Sequence, residues 1–217
     1  MSSCKTFRFG FGCDSLVITT PEVIDPSYGM YTWPCAPVLA QYVWHNRKLV
    51  TGKTVIELGA GTALPGIVAA KCRARVILSD QDDPPETLGN CQKSCEMNGV
   101  SNQVQVVGIT WGIISPYLLN LPPVDFILAS DCFYDSKDFE DIFATVVFLM
   151  ERNRSTQFWM TYQERSSSRS IVYLLDRWGM QCEQIPLTIF GAEGDVFESQ
   201  IQQTSCDIRM FIFRLKD

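Results

Sequence analysis

One segment constrains the fold of this chain more than any other. Val55 and Ile56 lead through Glu57 and Leu58 into Gly59, Ala60, Gly61 and Thr62, and a helix-like stretch follows over residues 64–72. The order is buried strand, tight glycine turn, helix. Glycines at 59 and 61 let the backbone approach a ligand more closely than any residue with a Cβ allows. The turn also aims the unpaired N–H groups of the new helix at whatever occupies it.

The dinucleotide fingerprint G-x-G-x-x-G is incomplete here, because its third glycine position holds Leu64. Glu57, just before the turn, is a poor neighbour for a pyrophosphate and a good one for a cation. S-adenosylmethionine carries a sulfonium, an ammonium and a ribose but no phosphate, and it fits. A plain βα turn with no ligand gives the same pattern. A second strand over residues 75–79 leads into Asp80, about twenty residues beyond the glycines, where a carboxylate can grip a ribose diol. Asp82 and Asp83 are nearby substitutes. Nicotinamide enzymes share this spacing, so an oxidoreductase is a rival reading, weakened by Leu64 and Glu57.

The 217 residues suffice for one domain with a sizeable core, and 46% hydrophobic against 19% charged residues indicates a globular chain. No apolar run reaches the length of a membrane span, and residues 1–12 lack the apolar stretch of a signal peptide. Nine cysteines in such a chain suggest reduced thiols in the cytosol or nucleus. With His45 as the single histidine, no metal site is expected. The net charge of −6, without a Lys/Arg cluster, disfavours nucleic acid and suits a basic protein or peptide, or simply solubility.

The chain reads as one domain over residues 1–217: an N-terminal hairpin and helix (1–45) and an α/β core (46–217). Phe7, Phe9 and Phe11 alternate, residues 12–14 turn, and Leu16 to Thr19 return, which is a hairpin pattern. A helix is expected over 34–45. In the core, strands are expected at 54–58, 75–79, 104–109, 124–130, 156–162, 180–187 and 208–215. Helices are expected at 64–72, 85–97, 137–151 and 167–178, with a looser segment at 110–121 and a polar one at 190–206. Strands alternating with helices run parallel, whereas the last two should pair antiparallel. The expectation is a doubly wound, seven-stranded, mostly parallel sheet of Rossmann-like type, with an antiparallel edge strand. Ligands bind such sheets at the carboxyl ends of the strands.

Candidate site residues sit at those ends. Asp131 follows Ser130 at the end of the fourth core strand, where a carboxylate is costly unless hydrogen-bonded or used. It is the main candidate for the reaction centre, with capping of the next helix as the alternative. Tyr134 offers an aromatic wall and a hydroxyl. Glu164, after the fifth strand, is a second acid for the substrate or a partner for Arg165. Trp111 could stack on an adenine and Trp33 could wall the pocket, although tryptophans are more often core.

Together these residues resemble the family-sixteen group of seven-β-strand protein methyltransferases, class I in fold. The resemblance is carried by Trp33-Pro34, by Glu57 to Thr62 with Leu64-Pro65-Gly66, by Asp80 and Trp111, and by the D-x-x-Y element from Asp131 to Tyr134. It covers nearly the whole chain. It implies S-adenosylmethionine at Gly59, Ala60, Gly61, Asp80, Trp111 and Ser130, and a protein acceptor near Asp131 and Tyr134. Most of this family modifies lysine. The branch this chain resembles most is one acting on histone arginine, in the nucleus and cytoplasm, which implies a histone tail as partner and links to chromatin regulation and to chaperone or transcription-factor complexes. The sequence lacks a paired-glutamate hairpin for clamping a guanidinium, so lysine stays open as the acceptor. No N-P-P-Y-type element follows the fourth strand, which argues against the amino groups of adenine or glutamine. A non-catalytic module that keeps the cofactor pocket is a further alternative.

Overall fold

The computed structural model describes residues 2–11, 13–23, 28–83, 85–163, 172–201 and 207–216. Strands β1 (Ser2–Phe11) and β2 (Asp14–Val23) form an antiparallel hairpin in which Phe7 faces Ile18 and Phe9 faces Leu16. Period-two alternation puts Phe7, Phe9 and Ile18 on one face, and all three are buried. A lone hairpin is marginal in water. This one is held on the body by that face and by Asn98, which accepts the Thr19 N–H at 3.1 Å and donates to the Thr19 carbonyl at 2.8 Å.

Helices α1 (Cys35–His45) and α2 (Arg47–Val50) lead into the core. It runs β3 (Thr54–Leu58), α3 (Leu64–Lys71), β4 (Arg75–Asp80), α4 (Glu86–Met97), β5 (Val104–Gly108), α5 (Pro116–Asn120) and β6 (Phe126–Ser130). Then come α6 (Phe139–Glu151), β7 (Gln157–Gln163), α7 (Val172–Arg177), β8 (Met180–Ile185), α8 (Asp195–Ile201) and β9 (Ile208–Leu215). The sheet order is β5-β4-β3-β6-β7-β9-β8. Strands β3 to β7 are parallel, and β9 runs antiparallel to both β7 and β8.

This is the expected doubly wound sheet, with its last two strands paired antiparallel. The reversed strand β9 lies one place inside the edge. Composition explains the placement. Gln181, Cys182, Glu183 and Gln184 of β8 are exposed, as suits an edge, whereas Ile208, Met210, Ile212 and Phe213 of β9 are buried. Two expected loops contain short helices. Within 110–121, the Ser115 hydroxyl accepts the Leu118 N–H at 3.1 Å and starts α5. Within 190–206, α8 forms. Of the helix expected over 167–178, residues 167–171 lie outside the described residues.

Each sheet face carries its own core. Val38, Leu39, Ile67, Val68, Leu78 and Leu128 pack with the hairpin on one side, and Ile56, Leu58, Ile127, Phe143, Val146 and Phe158 pack on the other. Strand order reverses between β3 and β6, which are hydrogen-bonded neighbours with Leu58 beside Ala129. The glycine turn and the Ser130-Asp131 corner therefore leave the sheet side by side, at the switch point where such folds bind ligands.

Candidate active site

The turn after β3 is shaped by what surrounds it. Gly59 and Gly61 have φ of 60° and 53°, in the left-handed region that favours glycine. A Cβ on Gly59 would lie 2.8 Å from Cys132 Sγ and 3.1 Å from the Trp111 ring. One on Gly61 would lie 3.0 Å from the Gly29 carbonyl oxygen. The turn is thus enclosed by the loops after β5 and β6 and by the segment before α1.

Glu57 does not face the ligand space. Its side chain is fully buried and is absent from the cavity lining. One carboxylate oxygen accepts the Gly66 N–H at 2.8 Å. Helix α3 starts from Ala63, whose side chain makes no capping bond, so an acid reaching across from the strand takes over that task. Gly66 follows from this, since a Cβ there would stand 2.6 Å from Glu57 Oε2 and 2.4 Å from Leu78 Cδ2. Glu57 Oε1 has no hydrogen-bond partner among the described residues. Burial, with a smaller contribution from Asp80, pushes the Glu57 carboxyl up to about 8. Glu57 is therefore corrected from a ligand contact to a neutral helix-capping acid.

A cavity of about 700 Å³ opens at the carboxyl ends of β3, β4 and β6. Trp33, Gly59, Ala60, Gly61, Asp80, Trp111, Ser130, Asp131 and Tyr134 all line it. Glu164 lies outside the described residues. The lining also includes Gly29, Tyr31, Thr62, Thr87, Cys132 and Asp135, which sequence reasoning did not single out. Tyr31, Thr62 and Asp135 are sequence neighbours of residues that were chosen, and that adjacency was the available signal. Nothing in the sequence showed that Gly29 would fold back onto Gly61 and Thr87.

Three rim groups set the electrostatics. Asp80 is half-buried, and its two oxygens accept the N–H groups of Gly61 at 2.8 Å and Gln81 at 2.9 Å. Burial raises its carboxyl, against the lowering effect of those two bonds. A carboxylate has about four acceptor sites, so capacity remains toward the cavity. Asp131 is buried at 6% exposure and has φ of 58°, a conformation rare outside glycine, which aspartate and asparagine adopt more readily than other residues. Its N–H donates to the Thr161 carbonyl at 2.9 Å, and the turn it makes tucks Cys132 Sγ against the Leu58 carbonyl at 3.3 Å. Strain of this kind persists only where the surroundings enforce it, and it concentrates at functional sites. Partial burial raises the Tyr134 phenol, with Asp138 adding to the effect, so its hydroxyl stays protonated.

The cavity fits S-adenosylmethionine on structural grounds. The two glycines leave room that a Cβ would fill, three carboxylates face the space, and among the described residues no Lys, Arg or His lines it to hold a phosphate. When bound, the cofactor supplies an electrophilic methyl group on sulfur. The mostly parallel seven-stranded sheet with such a cavity at its switch point is the class I methyltransferase fold. The overall shape is similar to the CcbJ methyltransferase of Streptomyces caelestis, with a TM-score of 0.61 at 11% identity over 83% of this chain and 90% of that one, a likeness of fold alone.

The family follows from sequence similarity. The family model described as lysine methyltransferase matches residues 13–175. The histone-arginine methyltransferase METTL23 of Xenopus laevis is 50% identical over 198 residues, covering 91% of this chain and 84% of that protein. The human protein of the same name is 54% identical over 173 residues, covering 79% and 90% respectively. The chain belongs to this family, the family-sixteen methyltransferases, and is an S-adenosylmethionine-dependent protein methyltransferase.

Proposed function

We propose that this enzyme methylates an arginine side chain on a basic, histone-type protein, in the nucleus and cytoplasm, and so acts in chromatin regulation. The observation that carries this reading is the acidic acceptor corner. Asp131, held in a strained and buried conformation, lines the cavity beside Tyr134 and Asp135, within the same space as the glycine turn. Arginine keeps its proton throughout the physiological pH range, so it must be held by carboxylates until transfer, and positioning and electrostatics do most of the work. In this reading Asp131 orients the acceptor, Tyr134 walls and hydrogen-bonds it, and Asp135 adds a carboxylate. Asp80 takes the ribose and Trp111 the adenine, while Trp33, Ser130 and the turn hold the remainder of the cofactor. Relatives about half identical over most of the chain bear the histone-arginine name, which supports arginine and the histone.

The family description favours a second acceptor, lysine, which must lose a proton from a reference pKa of about 10.4 before attack. Matched basic peptides carrying one arginine or one lysine separate the two. The expected outcome is methylation of the arginine peptide alone. Exclusive methylation of the lysine peptide overturns the arginine reading.

A further inference from the structure

A chain of buried hydroxyls runs from the hairpin to the cofactor turn. Thr32 Oγ1 donates to Thr62 Oγ1 at 3.0 Å, and Thr20 and Thr32 hydroxyls lie 3.2 Å apart. Each hydroxyl has one proton. Thr32 spends its proton on Thr62, so Thr20 must donate to Thr32, and the chain has one direction. It ends on Thr62, whose own proton finds no acceptor among the described residues. Thr62 is 3% exposed and lines the cavity. Thr32 is fixed independently, because its N–H donates to Glu22 Oε1 at 3.2 Å. Hydroxyls linked in one direction polarise one another, so the last proton is a strengthened donor.

The cavity also poses a charge problem. Its carboxylates suit cations and hydroxyls, but the methionyl end of the cofactor carries a carboxylate of its own, and no described Lys, Arg or His lines the space to meet it. We infer that Thr62 donates its hydroxyl proton to the carboxylate of the cofactor's amino-acid end, and that Thr20 and Thr32 position and polarise it. This rests on the cofactor occupying this cavity. The N-terminal hairpin is then part of the binding site through Thr20, although Thr20 is buried away from the cavity lining.

Calorimetric binding of two probes tests this without turnover: S-adenosylhomocysteine, which has the carboxylate, and 5′-methylthioadenosine, which lacks it. A hydrogen bond to a charged group predicts that Thr62→Val weakens S-adenosylhomocysteine by at least about tenfold, with 5′-methylthioadenosine held within about twofold. Thr62→Ser should bind both as the wild type does. Thr32→Val should show the same selective loss to a lesser degree, Thr32→Ser should not, and this pair decides the matter if Thr62→Val does not fold. An equal loss for both probes, or none for either, overturns the inference and leaves the cofactor reading standing. Failure of the wild type to bind either probe overturns both.

Discussion

At the scale of single residues, the account turns on Asp131. Its φ of 58° is a conformation that asparagine also tolerates, so Asp131→Asn removes the charge with little backbone penalty. We expect methyl transfer to fall by about a hundredfold or more while cofactor affinity stays within a few-fold, measured by single-turnover transfer and calorimetry. Full activity in that variant would remove Asp131 from the reaction. Asp131→Ala should lose the same activity and about 1 kcal/mol of stability besides, because alanine pays for a left-handed conformation. Glu57 makes a different prediction. Its folded-state carboxyl, at about 8, lies above its usual 4.5, so the stability tied to its proton is full below about pH 4.5 and is lost as pH rises through about 8. Glu57→Gln, neutral throughout, should flatten the fall of Tm across that window. An unchanged slope would mean the buried acid ionises freely. Asp131 was legible in the sequence because an acid leaving a buried strand requires an explanation. The task of Glu57 was not, because its partner is the N–H of Gly66, which only the folded turn brings within reach.

At the scale of elements, the glycine turn and the hairpin matter most. Gly59→Arg should abolish cofactor binding, since even a Cβ there meets Cys132 and Trp111 and the φ is left-handed. Normal binding by that variant would mean the cofactor sits elsewhere. The hairpin depends on Asn98, whose side chain makes both bonds to Thr19 and a third, at 2.7 Å, to the Ser94 carbonyl. Asn98→Ala should cost about 1–3 kcal/mol in denaturant unfolding, and a neutral result would show that the apolar face alone docks the hairpin. The strand–turn–helix order and the core strands were legible because apolar runs punctuated by glycine leave few other arrangements. Helix α5 and the insertion of β9 between β7 and β8 were less so. The first depends on a local serine cap, and the second on which strand can tolerate exposure, and neither is a matter of periodicity.

At the scale of the whole molecule, the net charge of −6 bears on encounter with substrate. An acidic body steers a basic protein, so kcat/KM on a basic substrate should fall as salt rises from about 50 to 200 mM, while cofactor affinity changes little. A flat salt profile would place recognition in local contacts alone. The cofactor half of the site was readable because its residues lie at strand ends in one motif-bearing stretch after another. The acceptor corner after β6 was readable on the same ground, through Asp131 and Tyr134. The folded-back segment before α1 was not, because only long-range packing brings Gly29 onto Gly61 and Thr87. The most direct test of the account is transfer of labelled methyl groups from S-adenosylmethionine to core histones, with the product hydrolysed to amino acids and Asp131→Asn run alongside. The account predicts label in methylarginine that the variant lacks. Label confined to methyllysine, or no label while the cofactor still binds, would contradict it.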